Sequence, residues 1–330
     1  MKRILFIALL VITACTREQS AMVNCLLTLQ ENSVLTRAAD PDETRISDYN
    51  LFIFNAQGIL EERVYVPPRA LKLKGGKVQY ETRLMRDVPY IILAAANLGY
   101  ELPLHTLEEA LEFRYHLAYP DEYSQGIPMA ARVEGTPAGE DWSIEVPLER
   151  LMARLDICID RRALDRDVQF KVRELRIGGC PSSVRMFGTS YARNRDEVFS
   201  GGFVKDGHQT DPLNRDITLG ESGTVSLYML ENCQGDLLEN VDDERGKVFT
   251  EGHYEEICSY VELRAEYTSN TWHTRPSTRL IYRFYPGDNP NNFDIRRNSI
   301  YRITVRPEGS GLTEDSWRVD KSGVVSGSGY

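Results

Sequence analysis

Apolar residues along this chain come mostly in short runs with a period of two, the spacing of strands with one buried face. Met22-Val-Asn-Cys-Leu-Leu-Thr-Leu29 predicts a half-buried strand. Ile46-Ser-Asp-Tyr-Asn-Leu-Phe-Ile-Phe54 predicts a buried one, closed by a turn at Asn55-Ala-Gln-Gly58. Ile59 to Val66 alternates until Pro67-Pro68 stops it, and Tyr90 to Ala96 is apolar throughout, as expected of a central strand covered on both faces. Thr106-Leu-Glu-Glu109 is a capping box that opens a helix running to about Leu117. Trp142 to Val146 alternates strictly and leads to Pro147.

From Leu148 the pattern begins again. Leu155, Ile157 and Ile159 share one face, a polar connector follows at Asp160 to Asp167, and Val168 to Ile177 forms the next strand. Within that strand the apolar positions slip from even (Phe170, Val172) to odd (Leu175, Ile177), which predicts a bulge near Arg173-Glu174 because a period-2 strand cannot otherwise change faces. Val225 to Glu231, Ile257 to Tyr267, Leu280 to Tyr285 and Tyr301 to Val305 continue the series, with Tyr301, Ile303 and Val305 inward. A last strand around Trp317 to Val319 precedes a Ser/Gly-rich tail. Both halves therefore open with strand, polar connector, strand. The expected fold is mainly β, two tandem β-sandwiches with one short helix in the first: residues 15–146 and 147–330, after a leader at 1–14.

The connector after the first strand carries Thr36-Arg37-Ala38-Ala39-Asp40-Pro41-Asp42-Glu43-Thr44-Arg45. Exposed polar loops are where proteases cut most readily. A cut after Arg37 or Arg45 would detach the first strand from its sheet, so the expected function turns on a removable strand.

Charge and leader narrow the partners. The formal net charge is −10, which argues against phosphate neutralisation and hence against nucleic acid. Met1-Lys2-Arg3 followed by Ile4 to Ile12 has the charged start and short apolar core of a secretory signal, too short to cross a bilayer as a helix. The run ends in Val11-Ile12-Thr13-Ala14-Cys15, which resembles the bacterial lipoprotein signal and implies acylation of Cys15. Several acyl chains would hold the chain stably at a membrane. The other cysteines, Cys25, Cys158, Cys180, Cys233 and Cys258, are odd in number, widely spaced and without Cys-x-x-Cys, and fit small apolar strand or loop residues.

No catalytic constellation emerges. His105, His116, His208, His253 and His273 lack metal-ligand spacing, and no nucleophile elbow or phosphate loop occurs. Asp242-Asp243-Glu244 fits a solvated turn. Gly287-Asp-Asn-Pro-Asn-Asn-Phe-Asp294 has calcium-type oxygens but breaks the EF-hand pattern at Phe293 and Ser299, leaving an Asx-rich turn. Neither an enzymatic activity, a metal nor a cofactor is expected. Trp142, Trp272 and Trp317 could form a glycan platform or pack in cores, which keeps a glycan-binding outer-membrane surface lipoprotein as the alternative.

Several phrases resemble the fimbrillin and minor-fimbrillin (FimA/Mfa-like) subunits of Bacteroidales type V pili. They are Val34-Leu-Thr-Arg-Ala38, Asn50 to Gly58, Ile127-Pro-Met129, Leu148-Glu-Arg-Leu-Met-Ala-Arg154, Leu227 to Gly235 and Asn298 to Val305, in family order. The resemblance implies transthyretin-like sandwiches, lipoprotein transport to the outer membrane, and a surface fimbrium as destination. It also implies removal of the first strand by an arginine-specific protease and donor-strand exchange with other fimbrial subunits. Arg37-Ala38 matches the processing position, with Arg45-Ile46 as fallback. An adhesive fimbria also implies a ligand on host or bacterial surfaces. Anchor subunits of this family keep lipid and first strand.

Overall fold

A computed structural model describes residues 22–32, 43–117, 126–199, 202–203, 209–210, 222–249, 252, 254–271, 278–312 and 317–325. Cys15, Arg37, Ala38, Trp272, His208, His253 and His273 lie outside these residues.

The first half contains β1 (Met22–Glu31), β2 (Tyr49–Asn55), β3 (Leu60–Val66), β4 (Val78–Met85), β5 (Tyr90–Ala96), α1 (Leu107–Glu112), β6 (Arg114–His116), β7 (Met129–Gly135) and β8 (Asp141–Arg150). Seven of these strands join in the order β3-β2-β5-β7-β8-β1-β4, folded into a sandwich around Val23, Leu27, Leu29, Leu51, Ile53, Ile92 and Val146. The second half contains β9 (Met152–Asp160), β10 (Gln169–Gly178), β11 (Cys180–Pro181), β12 (Ser183–Arg185), β13 (Val198–Phe199), β14 (Gly202–Phe203), β15 (Gln209–Thr210) and β16 (Ser222–Leu230). It continues with β17 (Asn232–Asp236), α2 (Tyr254–Ile257), β18 (Tyr260–Thr268), β19 (Thr278–Phe284), β20 (Asn292–Ile295), β21 (Ile300–Pro307) and β22 (Trp317–Val325). Its larger sheet runs β15-β14-β16-β9-β21-β22 and its smaller one β10-β18-β19.

The two halves repeat one arrangement. In each, the opening strand lies inside a sheet, antiparallel to one neighbour and parallel to the other: β1 between β4 and β8, β9 between β16 and β21. The parity slip in β10 is a register shift between Val172 and Glu174 against β18.

The apolar runs of β2 and β5 have a specific cause. Leu51, Ile53, Ile92 and Ala94 face the sandwich core, while Phe52, Phe54, Leu93 and Ala95 face a second core shared with Met152, Val184, Met186, Tyr228 and Leu230 of the other half. The sandwiches are thus joined through a continuous apolar layer, and β6 pairs with β12 across the junction.

Three expected boundaries are corrected. The helix ends at Glu112 rather than near Leu117, because Arg114 to His116 are drawn into extended pairing with Ser183 to Arg185. The capping box itself is present in both directions. Ile257 belongs to the single helical turn α2 rather than to the following strand, so a second short helix accompanies the expected one. The strand through Trp142 does not stop before Pro147 but runs on to Arg150. Asn24 N–H donates to Glu140 O and Asn32 N–H to Leu148 O, so even-numbered residues of β8 face β1. Pro147 therefore points to the other edge, where a missing N–H leaves no partner unsatisfied.

Candidate functional site: the slot of the first strand

β1 fills a slot between β4 and β8. Met22 to Leu29 pair antiparallel with Met85 to Val78, and Asn24 to Glu31 pair parallel with Asp141 to Leu148. Val23, Cys25, Leu27 and Leu29 point inward and are buried, while the intervening residues face outward. Each of the larger three contributes about 1.5–3 kcal/mol of apolar burial. On the outer face Asn24 Nδ2 donates to Asp141 Oδ1 at 3.1 Å and Gln30 Nε2 to Glu145 Oε2 at 3.1 Å. Withdrawal of β1 would strip both neighbouring strands of main-chain partners and open an apolar groove.

Both described ends of the connector are anchored at the junction of the halves. Asn32 O accepts from Asn298 Nδ2 at 2.9 Å, and Asn32 Nδ2 donates to Glu149 Oε1 at 3.4 Å. Arg150 Nη1 lies 3.3 Å from Glu31 Oε1 and 3.7 Å from Glu43 Oε2, so one buried guanidinium faces a carboxylate on each side of the connector. Burial pulls Arg150 below its ordinary pKa against the opposing pull of these two acids. Glu43 is also held from the second half, by Arg154 Nη1 at 3.0 Å and by the Tyr228 hydroxyl, which donates to it. Burial, reinforced by that bond, raises the Tyr228 phenol.

The fallback cleavage position is firmly held. Arg45 has an exposed side chain, but its carbonyl accepts from Asn97 Nδ2 at 2.8 Å and Ile46 is buried in the core. Sequence reasoning placed the strand but missed Glu31, Glu43, Arg150 and Asn298. Arg150 does lie in the phrase Leu148-Glu-Arg-Leu-Met-Ala-Arg154, where a charged residue inside an apolar run was the available signal.

The other candidates fall elsewhere. His105 and His116 are exposed. Trp142 packs against the first core beside Gly135. Cys25, Cys158, Cys180, Cys233 and Cys258 are not in disulfides. The Asx-rich turn after Tyr285 surrounds the Lys247 ammonium, which donates to Pro286 O at 3.2 Å, Asn289 O at 3.1 Å and Asn292 O, and sits 4.5 Å from the centre of the Phe293 ring. Asp288 and Asp294 are paired with Arg296. Among the described residues no three His, Cys, Asp or Glu side chains are grouped to hold a metal ion.

Similarity to solved structures covers nearly the whole chain. The fimbrilin of Porphyromonas gingivalis superposes with a TM-score of 0.57 at 15% identity, over 91% of this chain and 96% of that one. The tip fimbrial protein Mfa3 of the same organism, truncated at its C-terminus, superposes with a TM-score of 0.58 at 11% identity, over 92% and 99%. The chain has the fimbrillin-like fold. Residues 227–305, within the second fimbrillin-like sandwich, match the profile of a domain of unknown function, DUF4906. No curated protein matches the sequence.

Proposed function

We propose that this chain is a lipid-anchored structural subunit or accessory protein, at the tip or the anchor, of a cell-surface adhesive fimbria, without catalytic activity. In this reading Cys15 is acylated and carries the chain to the outer membrane, and an arginine-specific protease cuts between Arg37 and Ala38. β1 then leaves, and a strand of another fimbrial subunit takes its place. The observation that supports it most is that β1 is an interior strand, apolar on its inner face and joined to β2 through the arginine-bearing connector. A replacement strand restores main-chain pairing and apolar burial together, which is the physical basis of donor-strand complementation. The fallback at Arg45-Ile46 is disfavoured by the Asn97 bond and the buried Ile46.

The test is the N-terminus and acylation state of protein recovered from the cell surface. A start at Ala38 supports processing, and a lipidated Cys15 with β1 retained supports an anchor. In a shaft subunit Arg37→Ala should keep the chain full-length and block assembly; normal polymers from that variant overturn the scheme. Cys25 supplies a solution readout: buried in β1, it should resist alkylation until the strand leaves, whereas buried Cys180 and Cys258 stay protected throughout.

A further inference from the structure

We infer that the β1 slot selects its occupant by charge as well as by shape, accepting an extended segment with four alternating apolar residues and a carboxylate two positions beyond the last of them. The inference rests on the slot reading above and names the chemistry of the partner strand.

The imprint of β1 defines the pattern. Val23, Cys25, Leu27 and Leu29 are the apolar positions, and Glu31 follows two residues after Leu29 on the same face. The Glu31 side chain is only 8% exposed and its counter-charge Arg150 only 6%. Arg150 belongs to β8, where it pairs with Met129 of β7, so it stays in the slot after β1 has gone. Glu43 also stays, but its Oε1 accepts from both Arg154 and the Tyr228 hydroxyl, and its Oε2 lies 3.7 Å from Arg150 against 3.3 Å for Glu31. A guanidinium enclosed at that depth requires a near counter-charge, because an unpaired buried ion is strongly disfavoured. A carboxylate on the occupant supplies the nearer of the two counter-charges that Arg150 has in the intact chain.

The residue after the carboxylate is read differently. Asn298, at the second sandwich, donates to the main-chain oxygen of Asn32, a group that any residue supplies. The slot thus fixes where a strand ends through its backbone and which strand it is through the acid one place earlier. Direction is fixed too: a strand parallel to β8 brings its last apolar residue and then its acid to Arg150, whereas a reversed strand would bring its first residues there.

The full chain, cut in the connector by an arginine-specific protease, can be incubated with fluorescein-labelled, C-terminally amidated ten-residue peptides of the β1 sequence, one ending in Glu as in Met22–Glu31 and one ending in Gln. Fluorescence anisotropy should show the Glu-ended peptide binding on the order of tenfold more tightly, the size of one close charge pair that Gln cannot make. Arg150→Gln should abolish that preference while both peptides still bind. Equal binding of the two peptides to the wild-type chain overturns the charge requirement and leaves the slot standing. If neither peptide binds, the slot itself is refuted. The wild-type comparison decides alone should Arg150→Gln not fold.

Discussion

Asn97 Nδ2 lies 2.8 Å from the carbonyl oxygen of Arg45 and the same distance from that of Ile127, while its Oδ1 accepts from the Ser47 N–H at 2.8 Å. One buried amide thereby ties the downstream end of the connector to a neighbouring loop, from a left-handed backbone (φ 62°) that asparagine tolerates. Asn97→Ala removes these three hydrogen bonds and should cost about 3 kcal/mol or more, since each orphaned buried group costs about 1–3. It should also expose a second cut after Arg45, visible by N-terminal sequencing of limited digests. A digest indistinguishable from wild type would contradict the protective role.

Leu27 is fully buried in β1. Leu27→Ala should lower the stability of the intact chain by about 2–5 kcal/mol in chemical denaturation. Once the connector is cut and a donor peptide occupies the slot, variant and wild type should unfold alike, because the altered side chain has departed. A persisting difference would mean that β1 never leaves.

Acid sensitivity is expected at Glu262, which is wholly enclosed and accepts from Arg176 and Arg283 at 2.6 Å and from Arg264 at 2.7 Å. Burial alone would raise its pKa, but the Arg283 hydrogen bond and the Arg176 charge outweigh it and hold the carboxyl below its ordinary value. A depressed carboxylate contributes stability that is complete above its unfolded pKa, about 4.3, and is lost as pH falls through the lower folded value. Glu262→Gln should therefore be less stable than wild type at neutral pH, with the gap narrowing below about pH 4. A gap independent of pH would rule out this linkage.

Lys247 stands where an ion would be sought in the Asx-rich turn. Gly287 makes this approach feasible, since a Cβ there would come within 1.9 Å of Asn292 O and 2.6 Å of the Lys247 ammonium. Lys247→Met should destabilise the second sandwich by about 1–3 kcal/mol through its orphaned carbonyls. Gly287→Ala should be at least as damaging. Thermal denaturation of both variants checks the pair, and an unperturbed Lys247→Met would show that the carbonyls find other donors.

The period-2 runs placed most strands, since a strand half-buried against one core records that burial in its own residues. The bulge at Val172 to Glu174 was legible for the same reason: a change of face must alter the parity. The run at β5 revealed burial on both faces but not the covering layer, which is built from residues such as Val184 and Leu230 far along the chain. The overlong helix failed because Arg114 to His116 take their conformation from Ser183 to Arg185. Glu31 and Glu43 were illegible as a site because charges beside a polar connector look solvated until the fold encloses them, and Arg150 stood out only as a charge within an apolar run, with no sign of its partners.

Leu151 alone separates β8 from β9. Tension applied to whatever occupies the first slot would pass by shear into β8, cross that single residue, and enter the interior strand of the second sandwich. Sheared ladders share force among all their rungs rather than opening one rung at a time. A chain so wired would transmit a pull from one sandwich to the next with little give, a useful property in a filament exposed to flow.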